Sequence, residues 1–252
     1  MPRRVRLDVL VVARGLVESR TRAHALILAG QVDVDGVVVS KAGAPILEDA
    51  QVTLRTPDHP YVGRGGIKLA HALKAFNIDV TARDGLDIGA STGGFTDVLL
   101  RCGARRVVAL DVGHGQLAWR LRSDPRVTPL EGVNARRLEP TVLPADLRRF
   151  DIITVDVAFI SVRLILGRIP ALLRPAADVI ILVKPQFEAK RGEVGAKGVV
   201  TDLAVQQRVI NEVANAADAL GLERIVTTPS PITGAEGNQE VFLHLRPRPS
   251  QE

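Results

Sequence analysis

The chain has 252 residues, a length that suits one large domain or one domain with a small additional module. Hydrophobic residues make up 46% of it, enough for a sizeable core, whereas aromatic residues make up only 3%, which excludes stacking on many exposed rings as the main mode of nucleic-acid binding. The 33 Lys and Arg residues outnumber the 28 Asp and Glu residues, and the formal net charge of +5 mildly favours a polyanionic partner.

Several classes of protein are disfavoured by the sequence. Cys102 is the single cysteine, so neither an intrachain disulfide nor a Cys-rich zinc site can form, and we expect no metal. The basic N-terminus is not followed by a long apolar run, which argues against a secretory signal. Because no apolar stretch approaches the roughly 18 residues of a membrane span, we expect a soluble cytoplasmic protein without a membrane partner.

Residues 1–58 are predicted to form a small α+β domain. Leu7, Leu10 and Val11 share one helical face, and Ser19 has the position of an N-cap for a second helix. The pair Asp35-Gly36 favours a tight turn between two strands. Short strands are predicted over residues 32–34, 37–39 and 51–54.

A domain boundary is predicted near residues 57–63, where Pro57, Pro60 and Gly63 occur close together, with the linker over residues 59–63. The second domain then occupies residues 64–252, in which strands and helices alternate. The predicted strands are 85–89, 106–111, 127–131, 150–157, 178–184, 223–228 and 240–246. The predicted helices are 66–76, 93–102, 115–122, 161–173 and 202–220. This alternation predicts an α/β fold with a Rossmann-like sheet of seven strands. The last strand follows a short connection without a crossover helix, so we expect it to be antiparallel.

Arginine is concentrated near the N-terminus. A cationic face formed by these side chains would bind phosphates, and the alternative is an ordinary solvated helix surface. The candidate RNA-binding arginines are Arg3, Arg4, Arg6, Arg14, Arg20 and Arg22, with Arg64 at the start of the second domain. The string RLDVLVVARGLVESRTRAHALILAGQVDVDG resembles the S4-like RNA-binding domain found in rRNA-modifying enzymes. That resemblance covers about the first 55 residues and implies RNA binding.

The stretch from Gly85 to Thr96 has the features of a cofactor-binding turn. A strand is predicted to end near Asp87, a glycine-rich turn follows, and a helix begins near Gly93 with free N–H groups. The G-x-G-x-x-G spacing of dinucleotide sites is absent, and an acidic-x-Gly turn typical of S-adenosylmethionine (SAM) enzymes stands instead. The candidate SAM-binding residues of this turn are Asp87, Gly89, Ala90, Ser91, Thr92, Gly93 and Gly94.

Further SAM-binding residues are predicted after the next two strands. Asp111 ends the strand that follows the turn and is expected to bind ribose hydroxyls, with Val112 beside it; the alternative is an ordinary turn residue. Asn134 is expected to meet the adenine edge. Trp119 and Phe95 are expected to pack in the core rather than to stack on a ligand.

Four residues form the predicted catalytic group. Lys68 follows Arg64-Gly65-Gly66, whereas Asp156 and Lys184 end apolar strands, where ligands bind in a doubly wound sheet; Asp156 is therefore also a SAM-binding candidate. Glu240 begins the last strand, whose start lies at the same edge if the strand is antiparallel. A hydroxyl nucleophile requires a proton acceptor, and lysine can release its proton where arginine effectively cannot. The alternative is a pair of structural salt bridges.

The second domain resembles the TlyA family, whose catalytic domain is related to the FtsJ ribose methyltransferases. The matching strings are VGRGGIKLAHAL, LDIGASTGGFTDVLL, ALDVGHGQLAWRLRSDPRV, DVAFIS, VKPQFE and GNQEVFLHL. The resemblance implies SAM-dependent 2′-O-methylation of cytidine in ribosomal RNA within ribosomal subunits. It also implies a tetrad of Lys68, Asp156, Lys184 and Glu240, with Lys184 as the base. Gly63 departs from the serine expected in V-S-R-G.

Two rival functions and one choice of substrate stay open at this point. The family name haemolysin suggests a membrane-active protein, but no amphipathic or spanning segment supports this. A non-catalytic RNA- or ribosome-binding protein is the other rival, and the intact tetrad argues against it. The basic start resembles family members that modify both subunits, whereas the short end, residues 246–252, resembles members that modify only the large one. We expect 23S rRNA to be modified and leave 16S rRNA open.

Overall fold

The computed structural model describes residues 3–17, 19–55 and 59–248, and it divides the chain into two units, Met1–Pro60 and Tyr61–Glu252. Residues 249–252, which belong to the short end considered in the sequence analysis, lie outside the described residues. Each unit has its own core and is described separately.

Over residues 3–17, 19–55 and 59–60, the first unit contains two helices and five short strands. Its elements are β1 Arg4–Arg6, α1 Leu7–Ala13, α2 Arg20–Leu28, β2 Val32–Val34, β3 Val37–Val38, β4 Pro45–Leu47 and β5 Val52–Leu54. Strands β3, β2 and β5 form an antiparallel sheet in that order, and β1 pairs with β4. The Ser19 hydroxyl accepts a hydrogen bond from the Arg22 backbone N–H, so the predicted N-cap of α2 is present.

The core of the first unit lies between the helices and the sheet. Leu7, Val11, Ala23, Ile27 and Val32 are fully buried in it. The sequence analysis missed β1 and β4, because each has only three residues and the exposed arginines at both ends of β1 conceal the alternation of a strand.

The second unit is built on a seven-stranded sheet. Its strands are β6 Asp84–Ile88, β7 Arg106–Leu110, β8 Val127–Leu130, β9 Phe150–Val155, β10 Leu173–Val183, β11 Leu222–Pro229 and β12 Val241–Pro247. The order across the sheet is β11-β12-β10-β9-β6-β7-β8. Strands β6 to β10 are parallel, and β12 is antiparallel to both of its neighbours, β10 and β11. The predicted α/β sheet with an antiparallel last strand is therefore confirmed.

Helices cover both faces of this sheet, because alternate residues of its central strands are apolar on both sides. Ile152 of β9 belongs to one buried cluster and Ile153 to the other, and both are fully buried. The helices are α3 Gly65–Ala75, α4 Gly94–Arg101, α5 Trp119–Arg122, α6 Arg163–Leu166, α7 Pro185–Glu188 and α8 Leu203–Asp218. Short 3-10 helices lie at Ala135–Arg137, Pro140–Val142, Pro170–Leu172 and Arg191–Glu193.

Three predicted elements of the second unit differ from the structure by more than two residues at one end. The helix predicted over 115–122 is reduced to α5, because Gly115 has a φ of 66° and the chain before α5 forms a loop. The helix predicted over 161–173 is reduced to α6, since Gly167 and Pro170 interrupt it. Strand β10 begins at Leu173, five residues before the predicted start at 178.

The direction of the chain reverses at the centre of the sheet. From β6 the chain proceeds outward through β7 and β8, and it then returns to place β9 and β10 on the other side of β6. In open α/β sheets, ligands bind in the crevice at the carboxyl ends of the strands where such a reversal occurs. The crevice here lies after Ile88 and Val155, where the predicted site residues begin.

Candidate active site

The four residues of the predicted catalytic group form two ion pairs. Lys68 Nζ lies 2.5 Å from Glu240 Oε2, and Lys184 Nζ lies 2.5 Å from Asp156 Oδ1. Lys68 and Glu240 are buried, with 9% and 2% of their surfaces exposed. The structure thus brings together side chains that are up to 172 residues apart in the chain.

The topology of the sheet explains this convergence. Asp156 directly follows β9 and Lys184 directly follows β10, so both lie at the carboxyl edge. Glu240 directly precedes β12, and because β12 is antiparallel its first residue lies at that same edge. Lys68 reaches the group from α3, which begins at Gly65.

All four side chains line one cavity of about 290 Å³. Two ammonium groups and two carboxylates there balance in formal charge, as a buried ionic cluster requires. Asp156 Oδ1 is a buried atom without a hydrogen-bond partner among the described residues, and its contact with Lys184 is an ion pair only. The oxygen therefore retains capacity for a further donor.

The glycine-rich turn lies against the same residues. Gly89 has a φ of 89°, and a Cβ at this position would stand 2.3 Å from the Asp156 carbonyl oxygen. Only glycine allows both the conformation and this approach. The turn after β6 and the end of β9 therefore meet backbone to backbone.

Asp87 stabilises the turn through buried hydrogen bonds. Its Oδ2 accepts hydrogen bonds from the Thr96 N–H at 2.9 Å and the Thr96 hydroxyl at 2.7 Å, and its Oδ1 accepts one from the Thr154 hydroxyl at 3.0 Å. Burial raises the pKa of Asp87 to about 7, and the nearby charge of Asp156 adds to the increase, while the threonine hydrogen bonds oppose it. Asp87 thus ties the start of α4 to β6 and β9.

Two further cavities adjoin the turn. One of about 490 Å³ is lined by Gly89, Ser91, Asp111, Val112 and Asn134 among others. A smaller one of about 160 Å³ is lined by Ala90, Thr92 and Gly94. Asp156 lines both of these and the cavity of the two ion pairs, so it is the residue that all three share. Of the predicted SAM-binding residues, Asp87 and Gly93 line none of the three cavities.

The polar residues of the larger cavity are oriented by backbone hydrogen bonds. Asp111 accepts one from the Ser91 N–H and one from the Gly113 N–H, both at 2.8 Å. A carboxylate has about four acceptor positions, so two remain for a ligand. The Asn134 side-chain oxygen accepts a bond from the Arg136 N–H at 3.0 Å, which leaves its amide NH₂ as the group that it can offer.

Gly63, the predicted departure from the family pattern, lies next to the turn. A Cβ at Gly63 would stand 2.9 Å from Thr92 Oγ1. The absence of a side chain therefore lets the segment before α3 approach a residue that lines the small cavity. The backbone N–H of Val62 in the same segment donates to Asp97 Oδ2 at 2.9 Å, which anchors the segment to α4.

The expectation for Trp119 was wrong, whereas that for Phe95 was right. Phe95 is 3% exposed and packs in the core, but Trp119 is 79% exposed because it begins α5 at the surface. Phe159, Gln186 and Phe187 also line the cavity of the two ion pairs and were not predicted. They follow the predicted Asp156 and Lys184 within three positions of the chain. The motifs DVAFIS and VKPQFE, which contain them, were the sequence signal that could have identified them.

The N-terminal arginines all have partners within the first unit. Arg6 and Arg20 both bind Asp8, whose two oxygens are contacted at 2.9–3.0 Å, and the Arg6 hydrogen bond holds the pKa of this buried carboxyl well below its usual range. Arg6 and Arg20 nevertheless keep 55% and 62% of their side chains exposed. The others contact Glu48, Pro45 or His59: they are Arg3, Arg4, Arg14 and Arg22. Arg64 lies in the second unit and lines the cavity of the two ion pairs.

Comparison with known proteins identifies the family. The FtsJ-like methyltransferase model matches residues 61–247, and the S4 domain model matches residues 5–52. The 16S/23S rRNA (cytidine-2'-O)-methyltransferase TlyA of Mycobacterium tuberculosis is 45% identical over 98% of this chain and 91% of its own length. The chain belongs to the TlyA family of FtsJ-like methyltransferases.

Other relatives of this family carry a haemolysin name. Hemolysin A of Brachyspira hyodysenteriae is 40% identical over 96% of this chain and 99% of its own. A solved structure of a hemolysin-designated protein from Streptococcus thermophilus has a TM-score of 0.76 at 39% identity, covering 99% of this chain and 92% of that one. Among the described residues, no helix is both long and apolar enough to cross a membrane, and no cluster of potential metal ligands occurs.

Proposed function

We propose that the protein transfers the methyl group of SAM to the ribose 2′-hydroxyl of a cytidine in ribosomal RNA, with 23S rRNA as the first substrate. The observation that carries this proposal is the position of the two Lys–carboxylate pairs: they line one cavity that shares Asp156 with the two cavities along the glycine turn. A reaction that transfers a methyl group from a bound donor to the ribose of a nucleotide requires two adjoining sites of this kind.

The residues around the glycine turn fit SAM. In the proposed complex, Asp111 binds the ribose hydroxyls with its two remaining acceptor positions, and the Asn134 amide meets the adenine edge. The backbone of Gly89, Ala90 and Ser91 lies along the methionine part, where Gly89 admits close approach. SAM supplies an electrophilic methyl group on a sulfonium, so no covalent enzyme intermediate is needed.

The catalytic group then acts on the nucleophile. We assign the proton of the 2′-hydroxyl to Lys184 Nζ, which in its neutral form would accept this proton as the oxygen bonds to the methyl carbon, while the bond from that carbon to the sulfonium breaks and a thioether leaves. Asp156, 2.5 Å from that nitrogen, orients the amine. The buried pair of Lys68 and Glu240 lines the same cavity and fixes the ribose, since Lys68 can donate hydrogen bonds to it and Glu240 can accept them.

The first unit is proposed to deliver the RNA. The S4 domain match and the exposed arginines of this unit support binding to phosphates. Since ribosomal subunits are assembled in the cytoplasm, this substrate would place the enzyme there. The M. tuberculosis relative is named for both 16S and 23S rRNA, and we propose 23S rRNA as the main target of this chain.

The proposal is tested with purified protein, labelled SAM and isolated ribosomal subunits. We expect label in the large subunit, and a 2′-O-methyl mark that maps to cytidine. Incubation with the small subunit in parallel measures activity on 16S rRNA. SAM binding with no transfer to either subunit would support a non-catalytic RNA-binding protein instead.

The haemolysin names of two relatives favour one alternative, a membrane-active protein. A liposome leakage assay with the purified chain separates the two functions. We expect no dye release at protein concentrations that give complete methylation.

A further inference from the structure

The catalytic cavity contains a buried polar group that neither the ion pairs nor the proposed proton transfer uses. Gln186 lies in the four-residue helix α7, two positions after Lys184, and it lines the cavity with Lys68, Lys184 and Glu240. Its amide oxygen Oε1 is buried and accepts no hydrogen bond from any of the described residues. A buried acceptor without a donor is unfavourable, and such a group in a native protein calls for an explanation.

A donor on the bound substrate would remove this cost. The rim of the cavity near Gln186 is aromatic: the Phe159 and Phe187 rings lie 5.4 Å apart between centroids at an interplanar angle of 53°, and Phe159 is 85% exposed. Flat apolar rings favour a planar base, and enzymes that act on an extruded nucleotide read its base by hydrogen bonds to the polar edge. The donor that Gln186 requires is therefore expected on that edge of the base.

Cytosine and uracil differ at this point of the edge. Cytosine carries an amino group at C4, which is a donor, whereas uracil carries a carbonyl oxygen there, as thymine does. An amide oxygen facing the uracil carbonyl would remain unpaired and would be repelled. We infer that Gln186 is the residue that selects cytidine over uridine, by accepting a hydrogen bond from the exocyclic amino group of the target base. This inference rests on the proposed function.

The test compares two substrates and two variants. Large subunits are prepared with the mapped target as cytidine, or as uridine by mutation of the rRNA gene, and kcat/KM is measured on each with the full-length protein. Gln186→Met keeps the length of the side chain but removes the acceptor. We expect about a 10-fold or larger loss of kcat/KM on cytidine, because the amino group of the base then lies against an apolar side chain and loses its acceptor, and little change on uridine. The ratio of the two rates therefore falls towards one.

Gln186→Glu retains acceptor oxygens and is expected to keep most of the preference for cytidine, which a purely structural role of the side chain would not produce. Gln207→Met, at an exposed position of α8, is the matched control and leaves both rates unchanged. An equal loss on both substrates in Gln186→Met, or an unchanged ratio, overturns the inference while leaving the proposed methylation intact. If the wild-type protein methylates no cytidine in either subunit, the proposed function fails, and the inference fails with it.

Discussion

Lys184 is the residue on which the proposed proton transfer depends. In Lys184→Arg the positive charge beside Asp156 is retained, but the guanidinium does not release its proton under ordinary conditions. We therefore expect methyl transfer to fall by at least about 100-fold, the usual contribution of a general base, while the SAM dissociation constant changes little. Single-turnover rates and equilibrium titration with SAM measure the two effects.

Lys74→Arg is a suitable control for this variant, because Lys74 lies in the last turn of α3 and is exposed. It should behave as the wild-type protein in both measurements. Turnover by Lys184→Arg at a rate close to the wild type would remove Lys184 as the base and would leave the ion pair with a structural role.

Variants of the Lys68–Glu240 pair can distinguish its effect on stability from its effect on activity. Removing one member of a buried pair leaves an uncompensated charge, so Glu240→Leu is expected to lower the free energy of unfolding by roughly 3–5 kcal/mol. The double variant Lys68→Met/Glu240→Leu removes both charges and should recover most of this stability, since an apolar pair of similar volume is tolerated. Activity should be lost in both variants. Denaturant unfolding and the methyl-transfer assay measure the two properties, and recovery of activity in the double variant would contradict a role for the pair in the reaction.

The segment formed by β6, the glycine turn and α4 is held together by Asp87, and its stability should depend on pH. Burial raises the pKa of Asp87 to about 7, above the value of about 3.9 expected in the unfolded chain. The folded state therefore binds the proton more tightly. The stability that this group contributes is complete below about pH 4 and is lost as the pH rises towards 7.

Asp87→Asn tests this dependence. Asparagine is neutral at every pH and can keep the bond from Thr96 with its oxygen, while its NH₂ donates to the Thr154 hydroxyl. Between pH 4 and 7 we expect the unfolding free energy of the variant to fall less with rising pH than that of the wild type, in urea titrations at several pH values. Parallel curves for the two proteins would show that Asp87 does not titrate in this range.

The elements that packing alone determines were predictable from the sequence. The alternation of Ile152 and Ile153 between two buried clusters is the pattern of a central parallel strand, and the strands at 85–89 and 150–157 were predicted within two residues of their bounds. The helix predicted at 115–122 failed because its first residues form a loop in which Gln116 lines the larger cavity. Phe159 has a φ of 65°, a conformation that its residue type does not suggest and that only its surroundings can fix. The site residues at strand ends and in the glycine turn were thus accessible to sequence reasoning, whereas Phe159, whose backbone conformation depends on its surroundings, was not.

At the scale of the whole molecule, the amino edge of the central sheet carries a separate network of charges. Asp178 is fully buried and is contacted by His244 at 2.7 Å, Arg83 at 2.5 Å and Arg246 at 2.7 Å. Near it, Asp84 is contacted by arginines at the starts of neighbouring strands, Arg105, Arg106 and Arg174. The ionic clusters of the second unit thus lie at opposite ends of its strands. The predicted catalytic group is at the carboxyl edge, and this network is at the amino edge.

The two carboxylates of this network should make the protein sensitive to acid. Burial raises the pKa of Asp84, but its hydrogen bonds with arginines outweigh this effect and bring the pKa down to about 2. The hydrogen bonds of Asp178 with His244, Arg83 and Arg246 likewise outweigh burial and hold its pKa well below the usual range. Because the folded pKa values are depressed, the stability that these groups contribute is present above about pH 4, near the pKa of an unfolded Asp, and is lost as the pH falls. This is the opposite sign to the effect of Asp87, so stability is expected to pass through a maximum in weakly acidic solution.

Asp178→Asn isolates the contribution of the network. At pH 7 the variant loses the charge that its three partners share, and we expect its free energy of unfolding to fall by about 3 kcal/mol, the lower end for a broken buried pair, because both arginines are partly exposed. The difference from the wild type should shrink as the pH falls below 4, since the unfolded wild-type chain then binds a proton at Asp178 that the folded state does not bind, and the stability of the wild type falls. Asp218→Asn, which breaks only the exposed pair with Arg248, should cost no more than about 1 kcal/mol at any pH. A difference between Asp178→Asn and the wild type that stays constant over this range would mean that Asp178 stabilises the fold by packing rather than by its charge.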